Sequence, residues 1–538
     1  MMKTVYYNGR VYTGTLPLCQ AFAVEDGRFV QVGSDAELLA SASENASAVD
    51  LQGRFVCAGF NDSHMHLLNY GQSLHDAQLA GHTNSLADVL ACLKAFLHRH
   101  HMRQGQWLTG RGWNQDYFAD VSRMPDRRDL DSISSTIPIM ITRSCGHCCV
   151  VNSRVLQLAG IGPDTQSPDG GSIGMENGEP DGRLYDNAIE LLNDVLPLPS
   201  VDELKEMVGL ACAELNRYGV TSAQTDDYFL FRSLPFEAVN DAYRELEAEG
   251  KLSVRVYEQA NFITLEELKR FVESGNVTGT GSDLFRIGPL KIVGDGALGS
   301  RTAHLSLPYA DDGQNRGFSL LSDEQMSAMV SYAHAQGMQI AIHAIGDACL
   351  DQVLNAFAHA LQEQPRNDHR HGVVHCQVSR PDQLRRIHDL NLHVYAQSVF
   401  LDYDNHIVPR LLPPELAASS YSWKTLLKNG VSVSNGSDCP VELPDVMEGI
   451  ECAVTRCSLD GTGPYLPDEA FTVQEALDSY TIHSAKASFD ENRKGRIQVG
   501  YLADFVVLGQ DPFETNVREL HRIPVLATYL GGRCVYHR

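Results

Sequence analysis

The most constraining feature of this sequence is a pair of histidines, His64 and His66, that follows the apolar segment 55–60. If this segment continues as a β-strand, side chains alternate between its two faces, so both imidazoles point to the same side. Two imidazoles presented in this way can bind one metal cation. Because the chain contains 21 histidines, the pair alone is also compatible with chance. Its meaning depends on what the rest of the fold places beside it.

From about residue 200 onward, the chain alternates between helix and strand patterns. Capping boxes begin helices at Ser200, Thr264 and Ser322, and glycines such as Gly219 and Gly337 end helices. A short β-rich segment follows each helix, which is typical of a parallel sheet. The number of such units in 538 residues favours an α/β fold of the (β/α)8 barrel type. A doubly wound open sheet is the alternative, although no Gly-x-Gly-x-x-Gly motif follows an early strand.

Both ends of the chain carry short strand patterns. Asn8-Gly9 and Asp26-Gly27 each lie between β-rich segments and predict hairpins. Neither end has enough strands for a stable sheet of its own. We therefore expect residues 1–58 and 488–538 to combine into one small β domain.

The barrel is then expected over residues 59–487. A long region at about 70–195, rich in glycine and proline in places, interrupts its regular pattern. Long interruptions of a rigid scaffold are usually functional, so we expect this insertion to form a lid or a pocket wall.

Ionisable residues lie at or near the ends of later predicted strands, where the active sites of barrels are found. They are Lys291, His343, His375 and Asp438. Taken singly, each has an ordinary explanation: a histidine can be a satisfied core residue, an aspartate can cap a turn, and a lysine can extend to solvent. Together with the His-x-His pair, in this order along one barrel, they indicate a metal centre.

This ordered set resembles the amidohydrolase superfamily, and specifically amidohydrolase family 3, the branch of YtcJ-like hydrolases and N-substituted formamide deformylases. The resemblance covers nearly the whole chain. Its motifs are Gly9-Arg10-Val11-Tyr12-Thr13, Gly59-Phe60-Asn61-Asp62-Ser63-His64-Met65-His66, Arg111-Gly112-Trp113-Asn114, Gly146-His147, Asp295-Gly296-Ala297-Leu298-Gly299-Ser300-Arg301, His343-Ala344-Ile345-Gly346-Asp347 and Gly436-Ser437-Asp438-Cys439-Pro440-Val441. It implies a distorted (β/α)8 TIM barrel flanked by a β-sandwich that both termini build.

The resemblance also implies a binuclear metal centre. His64, His66 and Asp438 would bind the first divalent ion, and His343 and His375 would bind the second. Zinc is expected from the nitrogen and oxygen ligands, with iron or manganese as alternatives. A centre with a single ion, similar to that of D-aminoacylases, stays open as an alternative.

Lys291 would bridge the two ions as a carbamate formed with carbon dioxide. This modification converts a cation into an anion with two ligand oxygens, and it requires the neutral amine that burial favours. If Lys291 is unmodified, the centre needs another bridging ligand, and Glu258 on the preceding predicted strand is the first candidate.

The activity implied is hydrolysis of an amide-type C–N bond, such as that of an N-substituted formamide or acyl amine, by a hydroxide that bridges the two ions. Asp438 would act as the base and then as the acid. Alternatives are an ester or lactone hydrolase or an isomerase with the same centre, and, more remotely, a non-catalytic scaffold. The family motifs place four further residues where they could contact the substrate: Trp113, Arg143, His147 and Arg301.

The charge of the chain bears on its partners. The formal net charge of −25 disfavours nucleic acid and anionic membranes. No secretory signal is visible at the amino terminus, and no apolar run reaches the roughly 18 residues that cross a bilayer. We therefore expect a cytoplasmic protein with a small-molecule substrate and no membrane partner, and we leave a homo-oligomer open.

Overall fold

In the computed structural model of the chain, the described residues are 3–40, 46–103, 105–143, 148–168, 171–231 and 233–538. Residues 3–68 contain β1 (Thr4–Tyr7), β2 (Arg10–Val11), β3 (Ala21–Glu25), β4 (Arg28–Gly33), α1 (Asp35–Ala40), β5 (Ser47–Asp50), β6 (Phe55–Ala58) and β7 (Phe60–Met65). They are followed by α2 (Leu67–His75), β8 (Ala77–Gln78), α3 (Leu86–Arg99), β9 (Leu108–Trp113), α4 (Arg127–Asp131), β10 (Ile139–Arg143), β11 (Cys148–Val151), α5 (Ser153–Leu158), β12 (Gly171–Glu176), β13 (Glu179–Asp186) and α6 (Val201–Arg217).

The remainder of the chain alternates strands and helices before it ends in strands. The strands are β14 (Val220–Thr225), β15 (Arg255–Asn261), β16 (Phe285–Val293), β17 (Ile340–Ala344), β18 (Gly372–His375), β19 (His393–Ala396), β20 (Val433–Asn435), β21 (Phe505–Leu508), β22 (Val525–Leu530) and β23 (Arg533–His537). The helices are α7 (Phe236–Ala248), α8 (Leu265–Glu273), α9 (Asp323–Ala335), α10 (Asp347–Glu363), α11 (Pro381–Asp389), α12 (Leu401–Asp404), α13 (Val408–Leu411), α14 (Pro414–Ala417), α15 (Trp423–Lys428), α16 (Val446–Thr455), α17 (Val473–Ser479) and α18 (Ile482–Ala487).

Strands from both ends of the chain form two sheets with a common core. One sheet has the order β4-β3-β1-β5, and the other has the order β2-β6-β21-β22-β23. The amino-terminal β6 pairs antiparallel with the carboxy-terminal β21, so the second sheet needs both ends of the chain. Aromatic side chains of both sheets, including Phe22, Phe29 and Phe505, pack together between them.

The two predicted hairpins have different outcomes. Asp26 and Gly27 both adopt positive φ angles, 48° and 75°, and join the antiparallel strands β3 and β4, so this hairpin is confirmed. The Asn8-Gly9 hairpin is wrong. Asn8 does adopt a positive φ of 56°, but β1 pairs with β3 and β5, whereas β2 pairs with β6 in the other sheet. The turn moves the chain from one sheet to the other because burial in the common core outweighs local pairing.

A parallel barrel lies at the centre of the fold. In the part of the chain that the structure describes, eight parallel strands form one sheet in the order β20-β19-β18-β17-β16-β15-β14-β7. The predicted capping boxes are present at Thr264 and Ser322, where each hydroxyl accepts a hydrogen bond from the third backbone N–H of its helix. Gly219 and Gly337 end helices with φ angles of 80° and 79°. The prediction of a (β/α)8 barrel is therefore confirmed.

The first and last strands of this order, β7 and β20, meet through a seam of hydrogen bonds. Asp62 accepts hydrogen bonds from the backbone N–H of Ser437, at 3.1 Å, and from its hydroxyl, at 2.5 Å. The backbone N–H of Asp438 donates to the carbonyl of His64 at 2.8 Å. Gly436 is required here, because a Cβ atom at this position would lie 2.6 Å from the backbone nitrogen of His64. The seam thus holds the segment after β20 directly against the His-x-His strand.

Residues Asn69–Leu210 form a compact unit of their own. Its sheet has the order β12-β13-β11-β10-β9-β8, and β9 and β10 run parallel within it. The predicted insertion at about 70–195 lies inside this unit. Within the described ranges, no helix combines the length and the apolar character that crossing a membrane requires.

A buried ion pair joins the barrel to the terminal sheets. Arg255, at the start of β15, makes a bidentate contact with Asp504, with Nε–Oδ2 and Nη2–Oδ1 distances of 2.7 and 3.0 Å. Both side chains are buried, with relative exposures of 10% and 4%. Removing one partner of such a pair leaves an uncompensated buried charge.

We therefore expect Asp504→Ala to lower the free energy of unfolding by about 3–5 kcal/mol. The measurement is the urea dependence of circular dichroism, compared with the unsubstituted protein. Asp241→Asn is the matched control, because Asp241 pairs with Arg244 at an exposed position and is expected to contribute about 0–1 kcal/mol. Equal destabilisation by the two substitutions would contradict the assigned role of the Arg255–Asp504 pair.

Candidate metal centre

Side chains from separate strand ends converge at the carboxyl end of the barrel. One ligand atom each from His64, His375 and Asp438 lies within 4.8 Å of the others, and all three residues are buried. His66 joins them, with its Nε2 atom 3.0 Å from Asp438 Oδ1. His64 Nε2 lies 3.3 Å from the same oxygen. The structure thus brings together four of the predicted ligands from β7, β18 and the segment after β20.

The orientation of the His64 ring is fixed by Gln259 on β15. The amide Nε2 of Gln259 donates to the carbonyl of Ser63 at 3.1 Å, so its Oε1 atom is the acceptor that faces His64 Nδ1 at 2.7 Å. His64 Nδ1 must therefore carry the proton. The lone pair is left on Nε2, the atom that faces Asp438.

His375 and His66 follow the same rule. Gln397, directly after β19, donates through Nε2 to the carbonyl of Tyr395 and accepts at Oε1 from His375 Nδ1, at 3.0 and 2.7 Å. His66 Nδ1 lies 3.1 Å from the backbone carbonyl of Asp226, which can only accept. Such partners of the distal nitrogen are what orient histidines around metal ions in proteins.

The result is a buried site in which several acceptors converge. The Nε2 atoms of His64 and His66 both face Asp438 Oδ1, and without a metal a proton on His66 lies between its Nε2 atom and this oxygen. A cation between the three atoms can replace that proton and interact with all of them. The donor set of imidazole nitrogens and a carboxylate fits a divalent ion such as zinc.

The electrostatics of the site agree with this description. Burial, reinforced by the charge of Lys291, holds the pKa of His64 well below its usual range, which keeps the imidazole neutral. Burial and the charge of His343 do the same for the pKa of His375. Burial lowers the pKa of His66, but the Asp438 carboxylate outweighs it and raises this pKa to about 9. A metal ion bound here would displace the proton from His66.

Asp438 is held as an anion. Burial alone would raise its pKa, but the hydrogen bond with His66 and the electrostatic interactions with the surrounding imidazoles lower that pKa well below the usual range. Asp62, behind it in the seam, behaves in the opposite way, because burial outweighs its hydrogen bonds with Ser437 and raises its pKa to about 7.

Lys291 on β16 points into the same site. Its Nζ atom lies 3.3 Å from His64 Nε2 and 3.6 Å from Asp226 Oδ2, and the side chain is 2% exposed. Asp226 is an acidic neighbour that the sequence did not reveal, since it follows β14 rather than lying near Lys291 in the chain. Asn261 also donates to Asp226 Oδ2, at 2.9 Å. Carbamylation of Lys291 stays a prediction.

His343, on β17, lies beside this group with its ring centroid 4.4 Å from that of His375. Its Nε2 atom is 3.1 Å from the carbonyl of Gly296 and 3.3 Å from Asp295 Oδ1. Because a carbonyl only accepts, Nε2 carries the proton and Nδ1 is the nitrogen available to a metal. Its assignment as a ligand of a second ion stays a prediction.

The backbone is strained at two of the predicted ligands. His375 has a φ of 73° and Asp438 has a φ of 57°, both in the left-handed region that disfavours side chains with a Cβ atom. Hydrogen bonds hold both positions: Trp423 Nε1 donates to the carbonyl of His375 at 3.0 Å, and the Asp438 N–H is held in the seam. Backbone strain that the surroundings enforce clusters at functional sites.

The alternative bridging ligand, Glu258, occupies a different position. It is fully buried, and its Oε1 atom accepts a hydrogen bond from the backbone N–H of Asp227 at 3.0 Å. Burial and the neighbouring charge of Asp227 hold the pKa of Glu258 well above its usual range. A neutral carboxylic acid is a poor metal ligand, so this setting favours a structural role.

The residues predicted to contact substrate have varied positions. Arg301 is paired with Asp311 in the segment after β16, at an Nε–Oδ1 distance of 3.1 Å. Within the Asn69–Leu210 unit, Arg143 hydrogen-bonds to Asn114 and to neighbouring side chains, and Trp113 is completely buried in the hydrophobic core. His147 lies outside the described residues. Contact of these residues with substrate stays a prediction, and a packing role accounts for the burial of Trp113.

Sequence reasoning missed the residues that orient the ligands. Gln259 and Gln397 are uncharged and lie in or beside strands whose ends carry no predicted ligand. One signal was available: Gln259 follows Glu258 within β15, and Gln397 directly follows the apolar end of β19, and polar residues at such positions are unusual for strands buried on both faces. Asp62 lies inside the recognised motif, and its role became visible only with its partner, Ser437.

Comparisons with known proteins agree with the geometry. The sequence profile of the Amidohydrolase family matches residues 47–536. The Bacillus subtilis protein YtcJ, which is named as an amidohydrolase, is 32% identical over 100% of both chains. The N-substituted formamide deformylase of Arthrobacter pascens is 28% identical, over 96% of this chain and 95% of its own. A metal-dependent hydrolase of Pyrococcus horikoshii has a structure that superposes with a TM-score of 0.79, at 27% identity, over 96% of this chain and 99% of its own.

We expect Gln397→Ala to weaken metal binding roughly 10–100-fold, because His375 loses the acceptor that fixes its ring and its proton. The measurement is competition for zinc against a chromogenic chelator. Gln352→Ala is the matched control, because the Gln352 amide binds the carbonyl of Leu321 in a different region. Unchanged affinity in Gln397→Ala would contradict the orienting role.

Proposed function

This chain belongs to the Amidohydrolase family, and from that premise we propose that it hydrolyses an amide-type C–N bond of a small molecule at a binuclear metal centre. The observation that carries the proposal is the convergence of His64 Nε2 and His66 Nε2 on one buried oxygen of Asp438. Imidazoles and a carboxylate buried this close together are a typical donor set for a divalent ion. The arrangement is suited to such an ion and to the hydrolysis that the ion supports.

The first ion would be held by His64, His66 and Asp438, and the second by His343 and His375, with carbamylated Lys291 between them. We propose zinc, because neutral imidazoles and carboxylates in a buried site suit it, and iron or manganese would suit the same ligands. Divalent ions bound here would polarise the substrate carbonyl and lower the pKa of water.

The chain itself supplies the proton path. Asp438 is ionised and buried within the predicted ligand set, so its carboxylate can accept the proton of the attacking water. The proton then moves to the nitrogen of the leaving group, which is a poor leaving group until it is protonated. Asp438 thus acts as the base and then as the acid, while the seam holds its backbone in place.

The relatives favour a C–N bond over an ester. The deformylase relative is named for cleavage of an N-substituted formamide, and its match extends over nearly all of both chains. We therefore propose N-formyl or other N-acyl amines as the substrate class. Esters need less protonation of the leaving group, so the use of Asp438 as an acid also favours an amide.

The test is a screen of N-formyl amines, N-acyl amines and matched esters with zinc-loaded protein. We expect turnover of at least one amide, and we expect Asp438→Asn to reduce it roughly 10²–10⁴-fold because the proton relay is lost. The measurement is the release of amine, followed by its reaction with a fluorogenic reagent.

Zinc content of the Asp438→Asn protein is measured alongside, so that loss of metal is separated from loss of the relay. Asp404→Asn is the control for a nearby buried aspartate, since Asp404 is held by Tyr421 and Gln377 rather than by the ligand set. Turnover of esters alone would replace the amide proposal with ester hydrolysis. More than a tenth of the original rate in Asp438→Asn would remove this residue from the mechanism.

Lys291 gives an independent prediction. Protein purified without chelator is expected to contain close to two divalent ions per chain, and Lys291→Ala is expected to lose at least one of them because the bridging anion is absent. Elemental analysis gives the metal content, and intact-protein mass spectrometry under native conditions detects the added carboxyl group.

Acetate or propionate is expected to restore metal to the Lys291→Ala protein in part, by occupying the space of the carbamate. Fewer than one ion per chain in a fully active protein would instead support the single-ion centre. An unmodified lysine in a protein with both ions bound would refute the carbamate.

A further inference from the structure

A second cavity lies at the opposite end of the barrel from the metal centre. Its volume is about 580 Å³, within the range of small-molecule sites. Val431 and Ser432, which immediately precede β20, form part of its wall, so the cavity opens at the amino-terminal ends of the strands. Helix α18 and the segment that leads towards the terminal sheets complete the wall.

The acidic residues of this wall are already neutralised by partners. Glu475 forms an ion pair with Lys424. Glu491 makes a bidentate contact with Arg370, with Nη1–Oε2 and Nη2–Oε1 distances of 2.7 Å. Neither carboxylate therefore leaves an uncompensated negative charge on the cavity.

The basic residues of the wall lack such compensation. The Lys486 ammonium forms no hydrogen bond or ion pair with any residue in the ranges that the structure describes. Within the same ranges, Arg496 donates one hydrogen bond, from Nη1 to the backbone carbonyl of Gly14 at 3.1 Å. A backbone carbonyl carries no net charge, so both cations remain unneutralised by direct contact. Asp478 and Asp368 act on Arg496 and Lys486 only through space, without a hydrogen bond or ion pair to either within the described ranges.

Both cations lie close to a neutral histidine. Burial, followed by the charges of Lys486 and Arg496, lowers the pKa of His483 to about 4. Its Nδ1 atom is 3.4 Å from the hydroxyl of Ser432. The cavity therefore combines two positive charges with an imidazole and a hydroxyl, which are the groups that bind oxyanions in proteins.

We propose that this cavity binds a small oxyanionic ligand, carrying a carboxylate or phosphate group, through Lys486 and Arg496, with Ser432 and His483 as hydrogen-bonding partners. The site is separate from the metal centre, because none of the metal ligands contributes to its wall. It adds a binding function to the amino-terminal end of the barrel, independent of the hydrolysis at the carboxyl end.

The experiment is isothermal titration calorimetry of the metal-loaded protein with inorganic phosphate and, separately, with succinate, at constant ionic strength set by sodium chloride. Lys486→Ala is the test variant. We expect it to weaken one binding component about tenfold or more, because a charge-assisted hydrogen bond is lost. Lys428→Ala is the matched control, since Lys428 is an exposed lysine nearby that does not line the cavity.

Anions that bind at the metal centre give a component that both variants retain, so the two sites are distinguished in the same titrations. If Lys486→Ala weakens a binding component that is seen with phosphate only, or with succinate only, the proposal is supported and the oxyanion class is identified. Arg496→Gln is expected to weaken the same component. Titrations of Lys486→Ala and Arg496→Gln that match those of the unsubstituted protein for both anions would overturn it.

Discussion

The structure of this protein depends on one buried cluster of acceptors whose charge must be compensated. Three imidazoles donate their Nδ1 protons outward, to Gln259, Gln397 and a backbone carbonyl, so their Nε2 atoms point inward. An ionised carboxylate lies among them. A proton on His66 and the neighbouring Lys291 Nζ compensate the cluster when no metal is bound, and a metal ion can take their place, because buried acceptors without donors are destabilising. This cluster also explains the strained backbone at His375 and at Asp438. The hydrogen bonds that hold the strained positions keep the two side chains in the cluster.

Much of the barrel could be predicted because local patterns report it. Capping boxes and terminal glycines mark helices through backbone chemistry that involves only a few adjacent residues, and the strand pattern places His343 at a strand end. The pairing of the amino-terminal strands could not be predicted in this way. Asn8-Gly9 has the backbone of a tight turn, yet the strands on either side enter different sheets. Turn chemistry specifies a change of direction, whereas the pairing partner is decided by burial of aromatic side chains from both ends of the chain.

The site was predictable to the extent that its ligands carry recognisable chemistry. Its supporting residues were not, because Gln259, Gln397 and Asp226 acquire their roles from neighbours that lie tens to hundreds of positions away in the sequence. Lys291 illustrates the difference. Its burial follows from the apolar residues on either side, but its contact with Asp226 depends on the registers of β14, β15 and β16 in the sheet, which no local pattern specifies. Trp113 shows that a recognised motif is not sufficient either, since its place in a family motif gave no information about its burial.

The seam between β7 and β20 has a consequence for how the protein responds to metal. Its two sides carry different ligands, with His64 and His66 on one side and Asp438 on the other, so the ligand set is complete only while the barrel is closed. Metal binding and barrel closure are therefore thermodynamically linked, and each increases the population of the other. In a metal-depleted chain we expect the sheet to open first at this boundary, because a few hydrogen bonds rather than a strand ladder join β7 to β20 in the described part of the chain.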